Sequence, residues 1–332
     1  MTTKQKHTLK NGLPSLSVAP MMDCTDKHNR YFMRLIAPHF LLYTEMINAL
    51  AIHHGDKDKL LGFDPKEHPV ALQLGGSDPA KLASAAKWGQ DYGYAEINLN
   101  VGCPSPRVSA GRFGACLMLE PALVADCIAA MRASVSCPVT VKCRIGVDDH
   151  DNYTHLQHFI ETVSRTGTDT FIIHARKAWL KGLSPKQNRE IPPLRYDIVH
   201  QLKNDFPHLD IIINGGLKTL EDVSTQLQHV DGVMLGRVAY NTPYSLAAIE
   251  QALFPGEPIL SPHKVIEAYL PYVEQQLTAG TRLPSITRHL FGLFHGLPGA
   301  NAWRRHLSEQ AHRPGAGLNV ITAAAALVEK TA

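Results

Sequence analysis

Cys103 closes the run Ile97-Asn98-Leu99-Asn100-Val101-Gly102-Cys103-Pro104. Strand alternation sends Asn98 and Asn100 to the side opposite Ile97 and Leu99, and Gly102 and Pro104 then hold the thiol on a loop. An unperturbed thiol has a pKa of about 8.5, so near neutral pH it keeps its proton and can donate it. A lone cysteine is ordinarily inert packing; the two asparagines beside this one argue for chemistry. Lys142 lies inside the strand-like run Val141-Lys142-Cys143-Arg144, a costly place for a cation unless it faces a polar pocket or an anion. Gln73, in Leu72-Gln73-Leu74-Gly75-Gly76, carries an amide that can both donate and accept toward a heterocycle. Asn214-Gly215-Gly216 and Gly236-Arg237 let backbone N–H groups approach phosphate oxygens, with Arg237 adding charge. The apolar turn Ala19-Pro20-Met21-Met22 suits the face of a flat ring.

These residues need elements that bring them together. Short apolar runs predict eight strands, at Leu16–Ala19, Leu41–Thr44, Val70–Leu74, Glu96–Leu99, Val139–Cys143, Thr170–His174, Ile211–Asn214 and Gly232–Leu235. Helical patterns lie between them, at Pro79–Tyr92, Pro121–Ser134, Tyr153–Ser164, Arg195–Phe206 and Leu220–Leu227. Alternation of this kind implies βαβ units and a parallel sheet, and eight repeats over roughly 250 residues fit a (β/α)8 TIM barrel. A doubly wound open sheet would want Gly-x-Gly-x-x-Gly after its first strand, which this sequence lacks. In a barrel the catalytic groups gather where strands end, and every residue named above falls at such a junction. The proline-rich stretch 254–262 reads as a linker. Beyond it the strand signals stop, and spacing predicts helices at Lys264–Leu277, Ser285–Leu297, Ala302–Gln310 and Val320–Lys330. The expected division is a catalytic barrel at 1–253 and an all-helical domain at 256–332.

Of 332 residues, 44% are hydrophobic and 19% charged, which excludes a disordered or fibrous chain. No apolar run approaches 18 residues and Met1–Lys10 is polar, so neither a membrane span nor a secretion signal is expected. The six cysteines include no Cys-x-x-Cys pair; reduced thiols in the cytoplasm are the expectation, and zinc-ligand spacing is absent. The net charge of +3 conceals local excesses. Between His174 and Glu190, Arg176, Lys177, Lys181, Lys186 and Arg189 face one acid; between Arg282 and Arg313, five arginines including Arg304 and Arg305 face Glu309. Either cluster alone reads as a solvated face, but two make an RNA-binding surface the better expectation, with Lys186, Arg189, Arg304 and Arg305 as phosphate contacts and Trp303 stacking or packing beside them.

Taken together, the motifs resemble the tRNA-dihydrouridine synthases over nearly the whole chain. The resemblance rests on Ala19-Pro20-Met21, Thr44-Glu45-Met46, Gln73-Leu74-Gly75-Gly76, Asn98 to Pro104, Lys142-Cys143-Arg144-Ile145-Gly146, Ile173-His174-Ala175-Arg176 and Asn214-Gly215-Gly216. The segment 175–193 and Trp303-Arg304-Arg305 are similar to the A-type bacterial subfamily. Cys24 departs from that pattern, where tryptophan is expected after Asp23.

The resemblance implies FMN as prosthetic group, NADPH as reductant and a D-loop uridine of tRNA as substrate, at positions 20 and 20a. It implies that Pro20, Met21 and Met22 line the flavin, that Gln73 bonds its polar edge and that Lys142 stabilises its reduced form. Asn214, Gly215, Gly216, Gly236 and Arg237 would hold the phosphate, and His174 would sit between flavin and substrate. Cys103 would protonate C5 of a uridine turned out of its stack, Asn100 would meet the base and Arg144 its phosphate. No membrane and no obligate protein partner are implied. Competing readings are an FMN barrel oxidoreductase acting on a free pyrimidine, a phosphosugar lyase using Lys142 for a Schiff base, and an RNA-binding protein without turnover.

Overall fold

A computed structural model describes residues 15–256 and 258–329. The polar stretch Met1–Lys10, Glu257 of the linker and Lys330 of the last expected helix lie outside the described residues.

Eight parallel strands form the barrel: β1 Ser15–Val18, β2 Leu41–Tyr43, β3 Val70–Gly75, β4 Glu96–Val101, β5 Val139–Arg144, β6 Thr170–His174, β7 Asp210–Asn214 and β8 Gly232–Leu235. Each pairs with the next, and β8 returns to pair with β1, Leu235 opposite Val18, so the sheet closes. A two-residue strand, Ile47–Asn48, adds to the upper edge of β3. The (β/α)8 reading is borne out, and its reason lies in burial. Phe171, Ile172 and Ile173 are all fully buried, as a strand covered on both faces requires.

Alternation divides each strand. On β4, Ile97, Leu99 and Val101 are fully buried on one face, while Glu96, Asn98 and Asn100 point the other way. The neighbours in register with that second set are Gln73 on β3, opposite Asn98, and Thr140 and Lys142 on β5, opposite Asn98 and Asn100. Next in the ring come His174 opposite Arg144, and Asn214 opposite His174. An apolar cluster of Ala19, Tyr43, Ala71, Ile172, Ile212 and Met234 packs together, with Met21 against it. The barrel is therefore polar along one side of its interior and apolar along the other.

The surrounding helices obey local rules. Asp78 caps Pro79–Asp91 by accepting from the Lys81 amide, with Pro79 at the first helical position; such a cap contributes about 1 kcal/mol. Gly89 of that helix is required by close approach, since a Cβ there would meet Leu72 at 2.6 Å and Ile97 at 2.7 Å. No helix of the described residues is long and apolar enough to cross a membrane.

The chain divides into two compact units. One holds the described residues up to Met22 and Leu41–Gly236; the other holds Asp23–Phe40 and, from Arg237, the rest of the described chain. Among its described residues, the regular elements of the second unit are all helices. Its helix Lys27–Ile36 packs on Pro262–Thr278 through Tyr31 stacked on Tyr272 at 4.0 Å. The Tyr269 hydroxyl donates to the His28 carbonyl at 2.9 Å. Compactness thus groups residues 23–40 with the tail, a grouping that the linker-like composition of 254–262 does not reveal.

One expected helix is corrected. Ser285–Leu297 is helical only over Leu283–Thr287; the chain then runs through tight turns, Leu290 to Thr287, Leu293 to Leu290 and Leu297 to Phe294. Two glycines fall in that run. A Cβ at Gly292 would fall 2.2 Å from the Asn241 carbonyl oxygen, and Gly296 has a φ of +86°. Leu290, Leu293 and Phe294 are buried all the same. Trp303 is fully buried as well, its indole N–H donating to the Leu290 carbonyl at 3.1 Å and its ring edge-on to Phe294 at 4.8 Å. It packs, and it offers no face for stacking RNA. Trp303→Ala is expected to lower the unfolding free energy of the second unit by about 3–5 kcal/mol; an unchanged denaturant midpoint would contradict its place in the core.

Candidate active site at the barrel mouth

Two anchors hold the Cys103 loop. From within, the Asn100 side-chain oxygen accepts from the backbone N–H of Gly102 at 3.1 Å and of Cys103 at 2.9 Å. Beside it, Arg144 donates from Nε to the Gly102 carbonyl at 2.8 Å. The same guanidinium reaches the Lys177 and Asn188 carbonyls at 2.9 and 3.0 Å, tying the Cys103 loop to the one that follows β6. Arg144 is only 3% exposed. Through Nε and Nη1 it buttresses two loops. Burial raises the Cys103 thiol above its ordinary pKa, against the opposing pull of the Ser105 amide and of Arg144, Arg189 and Lys142. The thiol therefore holds its proton at neutral pH. Cys127 and Cys143 are buried and pushed up to about 12 by burial, which makes both inert.

Below that loop the mouth is cationic. Lys142 Nζ donates to the Asn214 side-chain oxygen at 3.1 Å, and Asn214 donates onward to the Met234 carbonyl at 2.8 Å. Burial first, then the charge of Arg144, pulls Lys142 down to about 8. His174 is held well below its ordinary value by burial and by Arg144, Lys142, Arg176 and Arg189, so its imidazole is neutral. The hydrogen-bond partner of Lys142 is an amide, and its charged neighbour Arg144 is a cation, while the thiols of Cys103 and Cys143 beside it keep their protons. Such a site calls for an anion.

The glycine junctions are built for close approach. Gly215 and Gly216 have φ of +118° and +76°, and a Cβ on Gly215 would stand 2.8 Å from the His174 ring. Nothing lies within 4 Å of where a Gly236 Cβ would be, leaving its backbone open. Arg237 follows next in the chain and begins the helix Arg237–Asn241. Pro20 and Met21 are part-buried and Met22 is 56% exposed. Gln73 is buried, donating to Asn98 and accepting from Asn100, both at 2.8 Å.

The basic loop after β6 separates into two sets. Arg176 bonds the Glu190 and Pro192 carbonyls. Lys177 pairs with Asp151 at 2.7 Å and lies 4.1 Å from the Trp179 ring centroid. Those two cations shape the loop. Lys181, Lys186 and Arg189 are exposed. In the second unit Arg288 pairs with Asp26, Arg304 is part-buried and bonds Asn301, and Arg305 is exposed. Sequence reasoning missed Asn188, whose fully buried amide pins Trp179 through both its N–H and its carbonyl. It also missed Glu96 and Thr140 inside the barrel; an acid opening an otherwise apolar strand was the available signal for Glu96.

A closed parallel barrel with glycine-lined junctions, a buried cationic mouth and a protonated thiol above it defines an enzyme of the anion-binding barrel class. The chain belongs to the dihydrouridine synthase family, whose model, "Dihydrouridine synthase (Dus)", matches residues 17–329. It is 58% identical over 315 residues to the tRNA-dihydrouridine(20/20a) synthase of Vibrio cholerae, covering 94% of this chain and 96% of that protein. It is 59% identical over 314 residues to the protein of the same name from Escherichia coli K12, covering 94% and 91%. The fold also resembles a solved 2-naphthoyl-CoA reductase, with a TM-score of 0.55 and 8% identity over 72% of this chain and 49% of that one.

Lys142 gives a signed pH dependence. Its folded pKa of about 8 lies below the ordinary 10.5, so folding is penalised while the lysine is charged. Stability therefore rises with pH between those values. In flavin-free protein, Lys142→Met is expected to stabilise by ~2–3 kcal/mol at pH 7, the gain vanishing above about pH 10.5. Thermal melts across that range check it, and a destabilised variant at pH 7 would refute it.

Proposed function

We propose that this protein reduces uridine to 5,6-dihydrouridine in the D-loop of tRNA, at positions 20 and 20a, using FMN and NADPH. The observation that carries the reading is the protonated Cys103 thiol, fixed by Asn100 and Arg144 above a cationic barrel mouth. A flat anion-bearing group fits the residues present there: Lys142 lacks an anion, Gly215, Gly216 and Gly236 expose backbone, and Pro20 and Met21 offer an apolar face beside the cluster around Ala19. FMN, when bound, would supply the hydride for C6 of the pyrimidine, with NADPH as its reductant.

The chain supplies the rest. Lys142 neutralises negative charge on the ring, and its charge is held through neutral pH by a pKa of about 8. Gly215, Gly216 and Gly236, with Asn214 and then Arg237 along the chain, hold the phosphate. His174, neutral, hydrogen-bonds at the ring–substrate boundary without adding charge. Cys103 gives its proton to C5, so hydride and proton together saturate the double bond. A raised thiol pKa suits this task, since a group that titrated well below neutrality would have no proton to give. Asn100 meets the base with the side-chain hydrogen that its internal bonds leave over. Lys186 and Arg189 in one unit, and Arg304 and Arg305 in the other, contact phosphates of the tRNA. Family membership makes a free-pyrimidine oxidoreductase the less favoured reading.

Cys103→Ala is expected to keep flavin and NADPH oxidation while dihydrouridine formation falls by about 10²–10⁴-fold; normal formation by that variant would sink the assignment. Binding to tRNA is expected to weaken steeply with salt. Lys186→Ala and Arg189→Ala should each reduce the slope of log affinity against log salt by about one, and an unchanged slope would remove those contacts.

A further inference from the structure

Inside the barrel, one continuous line of hydrogen bonds runs from the Cys103 loop to a buried acid. The Cys103 amide donates to Asn100 Oδ1 at 2.9 Å. Asn100 Nδ2 donates to Gln73 Oε1, Gln73 Nε2 to Asn98 Oδ1 and Asn98 Nδ2 to Thr140 Oγ1, each at 2.8 Å. Thr140 then donates to Glu96 Oε1 at 2.6 Å, beside the Tyr43 hydroxyl at 2.5 Å. Every bond points the same way. Every side chain in the line, and Tyr43 with it, is no more than 9% exposed.

The direction is dictated from both ends. A backbone N–H can only donate, so Asn100 must turn its oxygen toward Gly102 and Cys103. At the far end Glu96 accepts from two hydroxyls on one oxygen, which commits the Thr140 hydrogen and leaves the Thr140 oxygen to accept from Asn98. Each amide between has one orientation that satisfies both neighbours, and the reverse orientation would set donor against donor in a site too buried for water to repair. We propose that Glu96, acting through Thr140 and Asn98, is the anchor that fixes the orientation of Gln73 and Asn100 and so positions the Cys103 loop.

Glu96 and Thr140 are positioning residues, and the naming of the reaction they serve rests on the function proposed above. A chemical consequence follows for Asn100. Its oxygen is occupied by two backbone amides and one of its hydrogens by Gln73, so toward a ligand it presents a hydrogen alone. The group it meets must be an acceptor, such as a ring carbonyl.

The test reads the loop itself, without flavin or tRNA, so its failure is separate from failure of the proposed reaction. The rate of Cys103 alkylation by iodoacetamide is followed by peptide mass spectrometry at fixed pH, with Cys24 in the other unit as reference. Thr140→Val removes the link while keeping shape, and is expected to raise the Cys103 rate severalfold. Thr140→Ser restores the hydroxyl and is expected to restore the wild-type rate. Tyr43→Phe removes the other donor to Glu96, off the line, and is expected to leave the rate unchanged. A wild-type rate in Thr140→Val, or an equal increase in all three variants, overturns the proposal. If Thr140→Val fails to fold, hydrogen exchange of the wild-type protein decides: slow exchange at the Gly102 and Cys103 amides supports the anchor, and exchange at the rate of a free loop overturns it.

Discussion

The buried positive charge at the barrel mouth is the constraint on which the rest depends. Lys142 and Arg144 lie on β5, Arg144 in register with His174 on β6, and each is depressed by burial and by cationic neighbours. Lining the same mouth, Asn100 and Asn214 bring amides. A fold that minimised its own energy would place a carboxylate here or fill the space with leucine, since an uncompensated internal cation is among the costlier features a protein can carry. The protein tolerates that cost where an anionic ligand would offset it, the usual trade of stability for function at a site.

Given that charge, the remaining polar features fall into order. The acid in the barrel, Glu96, is occupied by two hydroxyls. Arg144 turns Nε and Nη1 to backbone carbonyls of two loops, which makes a buried cation a structural brace as well as a source of field. Arg176 and Lys177 do the same for the loop after β6. The cations of that segment therefore divide between shaping it and facing solvent.

Much of this was legible before the structure. The eight strands announced themselves because a parallel barrel covers both faces of each strand, which enforces continuous apolar runs such as Phe171-Ile172-Ile173. Gln73, Lys142 and Cys103 stood out by the converse rule, as polar groups where apolar ones are expected. The segment after Thr287 was misread because apolar spacing records which side chains are buried and not how the backbone carries them there; the chain turns tightly through Gly292 and Gly296 while the hydrophobic set stays inside. Trp303 drew notice for its basic neighbours, yet helix periodicity turns it to the core. The charge count treated Arg176 and Lys177 as surface, because a sequence cannot say which carbonyls a guanidinium will find.

The helix Lys27–Ile36 lies early in the chain, yet its aromatic partners Tyr269 and Tyr272 come after the last barrel strand. Synthesis proceeds from the N-terminus, so this helix emerges from the ribosome long before Tyr269 and Tyr272, the rings that pack on Tyr31 and Phe32. It must wait through the translation of all of Leu41–Gly236. The tail is thus no detachable appendage: a chain cut after Gly236 keeps every barrel strand but deprives this helix of the aromatic partners it packs on, exposing apolar surface that invites chaperones or aggregation.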